Sequence, residues 1–531
     1  MRTNLLKQNL GINSLRSFAP WRLCEKSALM RGTSIVVALA LTVVSLAPGS
    51  LAQQPQDQFG PAGQSIKGAV LKGKAPVNKD LLKVKLPRAG EATLKNGLRV
   101  LVLENHRVPT FSIDMVILSG GLSDPPDHRG LASFTASLLR EGTSKRSSKE
   151  IAEQVDALGA SLTAVSSLSS FTTSVRATGL VENFGEVLDL FADVILNAKF
   201  PVDEVDKFKA RTISQLQFVR SNPRYLAQER FNRAIYGDHP AGLVSPSADS
   251  IKKTTVEDLA KFRSTYYRPN NAMLAIVGDV TLKNVVPEIE RVFGSWERAE
   301  VPQAAIEAPP AQGPARLALI DRPGSVQTFI QLGVLGIQRT DPDYFPLLVM
   351  DKVVGGGPSA RLFMNLREDK GYTYGAYSNL SSSIFRGVWG ASSEVRTEVT
   401  DGAMHEFMYE VNRIRDEKVS TTDLENAKRS IIGGFALSLE QPAALLQNIV
   451  NQKLYKLPAD YWDTYPAMVA AVTADDIQRV ARKYIDPAHL QIVAVGDGSK
   501  IRDVLSKYGA LEVYGPNGNL ISSSGDQQRE R

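Results

Sequence analysis

A block of residues repeated at one offset constrains this chain's fold more than any other feature. Thr255, Asp258, Tyr266, Pro269, Val277, Gly278 and Asp279 recur as Thr473, Asp476, Tyr484, Pro487, Val495, Gly496 and Asp497, each 218 residues later. Asp124-Pro125 and Asp341-Pro342 repeat at 217 near the start of each half. Repetition at a near-constant offset means that one unit is built twice. Between the copies, residues 297–314 hold Pro302, Pro309, Pro310, Gly313 and Pro314 among Ala and Glu, which is linker composition.

Each copy mixes strands and helices without strict alternation, so the fold class is α+β, two homologous domains in tandem. Residues 98–103 and 111–118 carry strand patterning, and 161–178 reads as two strands joined by a turn. Residues 181–197, 202–220 and 223–236 read as amphipathic helices. Ser147 with Glu150 forms a capping box, and a second box opens a helix near Thr255. Residues 273–277 form a buried strand. The expected layout is a signal peptide at 1–52, a flexible arm at 53–90 and a first domain at 91–296. The linker at 297–314, a second domain at 315–510 and a tail at 511–531 follow.

Residues 35–47 form an apolar run behind Arg22, Lys26 and Arg31, and Ser50-Leu51-Ala52 supplies a small-x-small site. The run is shorter than the ~20 residues of a membrane span. It reads as a secretory leader cut near Ala52, with Met30 as an alternative start and an uncleaved anchor as the other reading. Residues 1–52 carry six Lys/Arg against one Glu, so most of the net charge of +6 belongs to the leader. The remainder is nearly neutral and offers no nucleic-acid surface. The single cysteine, Cys24, also lies there, which excludes thiolate zinc sites and a cysteine nucleophile from the rest. The expected location is periplasmic or extracellular.

Residues 130–143 read Gly-Leu-Ala-Ser-Phe-Thr-Ala-Ser-Leu-Leu-Arg-Glu-Gly-Thr, a helix closing at Gly142. This frame resembles G-L-A-H-x-x-E-H-x-x-x-x-G-T, the zinc helix of the inverzincin metallopeptidases, the insulinase/pitrilysin superfamily. There two His hold zinc and the Glu activates water. The matching positions here are Ser133, Ala136 and Ser137. The family's third ligand, a Glu on a later helix, falls on Gln215, or on Ser214 with one residue of slippage. Hydroxyls, a methyl and an amide do not replace that set. None of His106, His128, His239, His405 and His489 is spaced as a helical pair. A serine nucleophile at Ser133 or Ser137 lacks an elbow motif and an adjacent base. Ser137 reads instead as a filler of the vacated pocket.

Residues 355–378 begin Gly-Gly-Gly-Pro-Ser-Ala-Arg-Leu-Phe and continue through Leu366-Arg367-Glu368 to Gly371 and Tyr374. This is similar to the family's second-domain signature, G-G-G-x-S-x-R-L-F-x-x-L-R-E-x-x-G-x-x-Y. The resemblance implies that Arg367 and Tyr374 hold a substrate carbonyl or its tetrahedral intermediate. A fixed guanidinium fork and a phenolic O–H suit that task. It places Gly355, Gly356 and Gly357 near bound substrate. Without G-K-[ST] they form no phosphate loop, and a helix C-cap is the other reading. Tyr372 and Tyr377 read as packing.

The resemblance also implies two sheets, each antiparallel with helices on one face, forming half of a clam shell. The expectation is a chain that binds no cofactor, is inactive alone and pairs with a zinc-bearing homologue. That heterodimer would cleave extended peptides. The alternative is a non-catalytic peptide-binding or structural core subunit of a larger complex.

Overall fold

The apolar run at residues 100–103 leaves no polar face, as expected of a strand segment covered on both sides. The computed structural model describes residues 80, 82–303 and 307–523, so the expected leader lies outside the described residues. The described residues all belong to one compact unit.

The first half builds a six-stranded sheet. Its strands are β1 (Gly90–Thr93), β2 (Arg99–Glu104), β3 (Thr110–Ile117), β4 (Ser161–Val165), β5 (Thr173–Leu180) and β6 (Ala272–Gly278), in the order β1-β2-β6-β3-β5-β4. The second half repeats this with β7 (Arg316–Asp321), β8 (Gln327–Leu335), β9 (Thr373–Leu380), β10 (Val388–Arg396) and β11 (Gln491–Gly496). It adds β12 (Leu511–Tyr514) and β13 (Leu520–Ser523), giving β13-β12-β7-β11-β8-β10-β9. The duplication is thus structural. β2 pairs with β6, and β7 with β11, as the parallel members of otherwise mainly antiparallel sheets. β12 adds a further parallel pairing on β7. The sheets are mixed rather than wholly antiparallel.

Alternation along the central strands divides the core. Val100 and Val102 face the helices of their own half, while Leu101 and Leu103 face the opposite side. That opposite side is covered by Leu445, Leu446 and Val450 of the Pro442–Leu454 helix, which belongs to the second half. Reciprocally, Leu226, Phe231 and Ile235 of the Pro223–Tyr236 helix cover Ala318, Ile320, Val493 and Val495 of the second sheet. Each half therefore lends a helix to the other, and neither sheet has helices on one face alone. No helix among the described residues is long and apolar enough to cross a membrane.

Two expected boundaries change. Residues 511–531 are not wholly a tail, because β12 and β13 extend the second sheet around a turn at Gly515-Pro516-Asn517-Gly518. The end of the expected arm is docked: Leu86 is buried and its N–H donates to Asp463 at 2.9 Å. Both capping boxes are present, and the Thr255/Asp258 box repeats as Thr473/Asp476.

Candidate functional site

The zinc-like frame folds as the helix Leu131–Leu138, which ends earlier than Gly142. It begins at Gly130 with φ of 106°, in the left-handed region glycine tolerates. Asp124 accepts hydrogen bonds there from the N–H groups of Gly130 at 2.7 Å and Ala132 at 2.8 Å. Burial pushes the Asp124 carboxyl up to about 7, against the opposing pull of those bonds.

Ala136 is fully buried, Ser133 half-buried and Ser137 exposed. Gln215 and Ser214 are exposed on the Val202–Val219 helix. Phe134 and Phe208 join the two helices edge to face, with ring centroids 5.5 Å apart. This donor set does not fit zinc, since it has no imidazole or carboxylate. Nor does Ser137 plug a packed pocket, because its side faces solvent. Among the described residues no three His, Cys, Asp or Glu are grouped as a metal would need. The histidines have separate partners: His106 lies 2.6 Å from Asp279, His128 3.2 Å from Asp127, His405 3.4 Å from Glu406 and His489 3.1 Å from Asp486. His239 accepts from the Ala241 N–H at 3.1 Å.

Arg367 and Tyr374 sit on two local irregularities. The helix Arg361–Phe363 widens into a π-turn over Met364–Asp369, where the Lys370 N–H reaches back to the Asn365 carbonyl at 3.0 Å. Such turns insert a residue into a helix and often occur at functional sites. Asn365 ties the turn down, donating to Glu406 at 2.9 Å and Glu410 at 3.0 Å. On the far side, Lys370 pairs with Glu406 at 3.0 Å. Between these anchors Arg367 extends outward, its side chain 45% exposed. Its guanidinium contacts Glu368 at 2.6 Å and stands 4.9 Å over the Phe363 ring. Tyr377 lies beside Phe363, ring to ring at 5.7 Å, but is 46% exposed, so the expected packing role holds only in part. Tyr372 is half-buried against the core.

On β9 the pairing to β10 is Thr373↔Val395 and then Ala376↔Ser393. Tyr374 and Gly375 thus oppose the single residue Glu394, a bulge that bends the strand and re-aims its side chains. Tyr374 is 85% exposed as a result. Both side chains are held outward by backbone devices that the sequence did not announce. Of the residues that set the Arg367 position, Phe363 was visible as part of the signature, whereas Asn365 falls on one of its unspecified positions.

The glycine loop follows the Tyr344–Val354 helix. A Cβ on Gly355 would lie 2.2 Å from the Ser378 nitrogen, and the Gly355 carbonyl accepts the Ser378 N–H at 3.0 Å. Close approach to the chain's own β9 therefore requires this glycine. Below it Asp351 is buried and accepts from Ser378 at 2.7 Å and from Trp389 at 3.0 Å. Burial raises its carboxyl to about 6 despite these bonds. Gly356 and Gly357 line an open cleft with Tyr377 and Asn379.

The duplicated fold and the emptied metal frame define a chain of metallopeptidase architecture. Residues 99–245 match the family model Insulinase (Peptidase family M16), and residues 253–431 match Peptidase M16 inactive domain. Together they span more than half of the sequence, and the chain belongs to peptidase family M16. It is 26% identical to an uncharacterized zinc protease of Streptomyces coelicolor, over 80% of this chain and 89% of the relative. It is 24% identical to a probable mitochondrial-processing peptidase subunit beta of Arabidopsis thaliana, over 77% and 78%. A solved peptidase M16 inactive domain from Pseudomonas fluorescens aligns with a TM-score of 0.72 at 25% identity, covering 77% of this chain and 98% of that one. A protease from Helicobacter pylori shares the fold, with a TM-score of 0.68 at 21% identity, over 77% of this chain and 100% of that one.

Proposed function

We propose that this chain is the zinc-lacking subunit of an exported heterodimeric metallopeptidase. The observation that carries the reading is a pairing within one molecule. The frame at Ser133, Ala136, Ser137 and Gln215 has lost its metal-binding chemistry, while Arg367 and Tyr374 project from the second-domain signature. In this reading a homologous partner supplies the zinc. Arg367 and Tyr374 hold the peptide carbonyl, or the charge that develops on it. A permanent cation and a phenolic donor stabilise such charge strongly where water is excluded. The leader at 1–52 supports export to the periplasm or beyond.

Purified alone, the chain is expected to hold no stoichiometric zinc by elemental analysis and to cleave no peptide. One zinc per chain together with intrinsic turnover would overturn the proposal.

A further inference from the structure

The inner face of the second sheet is not fully covered by the helix lent from the first half. Between that helix and β8, β9 and β10 a cleft of about 440 Å³ remains. Its wall is distinctive in a chain that is 22% charged, because among the described residues no Asp, Glu, Lys, Arg or His lines it. Four amide side chains do so: Gln228 and Asn232 from the helix, Gln331 from β8 and Asn379 from β9. Gln331 donates to Gln228 at 3.3 Å, and Gln228 in turn donates to Asn232, so these three amides form a chain. Asn379 and Ser392, together with Ser169 across the cleft, make no side-chain hydrogen bond among the described residues. Phe231, Tyr236 and Phe385 provide an apolar floor. The Tyr236 hydroxyl is already used, donating to the Arg386 carbonyl at 3.2 Å, and burial raises its pKa.

We propose that this cleft binds an extended peptide segment with uncharged polar side chains. The inference rests on the peptidase-subunit reading and adds the class of substrate segment to it. A peptide backbone presents one neutral donor and one neutral acceptor per residue, which the Asn379 amide and the Ser169 and Ser392 hydroxyls can satisfy. Ser, Thr, Asn, Gln and Gly side chains extend that match. A Lys or Glu side chain would lose its water here with no counter-charge in the wall, which is costly. The cleft therefore selects by exclusion as well as by contact.

The test uses the full chain alone and three labelled nonapeptides read by fluorescence anisotropy. One contains Gly, Ser, Asn and Gln; the second and third carry two Lys or two Glu at central positions. The neutral peptide is expected to bind about tenfold or more tighter than either charged one. Asn379→Asp changes charge at constant volume on an exposed residue. It should weaken the neutral peptide and move the preference toward the Lys peptide by about tenfold. Equal binding of the three, binding of none, or indifference to Asn379→Asp overturns the inference. So does binding of a tetramer of N-acetylglucosamine in place of peptide. The assay needs neither a partner nor turnover, so its failure is separate from failure of the peptidase reading.

Discussion

Gly130 enters its helix in a conformation where an added Cβ would press on Phe134 and Pro246 at 3.0 Å. Asp124 then secures the first turn through two backbone N–H groups. These residues hold the helix start without a metal, which explains how the frame outlasts its ligands. Asp124 carries a cost, since its folded-state carboxyl stands at about 7, above its ordinary 3.8. The folded protein binds that proton more tightly than the unfolded chain does. The contribution to stability is therefore present at low pH and is lost as pH rises through about 7. The melting temperature of the native chain should gain from this group between about pH 8 and about pH 5.5. Asp124→Asn should shrink that gain. Parallel pH profiles for the two proteins would contradict the assignment.

Elements that repeat were legible in the sequence, and elements that break a pattern were not. The Ser147 and Thr255 capping boxes, the strand at β2 and the Pro223–Tyr236 helix follow from local chemistry and periodicity. The π-turn at Met364–Asp369 and the bulge at Tyr374 leave no periodic trace, because each adds one residue to an otherwise regular element. The β12–β13 hairpin had a usable signal in Gly515-Pro516-Asn517-Gly518 between strand-like runs. The exchange of helices was hidden for another reason: amphipathicity shows that a helix has a buried face but not which sheet it covers. Leu446 tests that exchange. It lies on a second-half helix and shares a core cluster with Leu101, Met273 and Val277 of the first sheet. Leu446→Ala should cost about 2–5 kcal/mol. It should shift a single denaturant transition for both halves. Loss confined to one of two separate transitions would show the halves to be independent.

At the scale of the whole molecule, the duplication was readable from one offset, and the family from two signatures, one emptied and one intact. What the sequence could not convey is that the intact signature ends in side chains turned to solvent. Arg367 is 45% exposed and Tyr374 85%, with each placed by an irregular backbone. Arg367 keeps contact with Phe363 and Glu368, and most of the Tyr374 side chain is open to solvent; under the proposed function both would face a peptide held by a partner. The most direct test is kcat/KM of the chain co-purified with the zinc-bearing homologue that the proposed function requires, compared between native protein and Arg367→Ala. The expected result is a fall of about 10²–10³, as for loss of one donor to a developing oxyanion, with the pair still assembled. Unchanged turnover in an intact pair would contradict it and leave the chain a structural subunit.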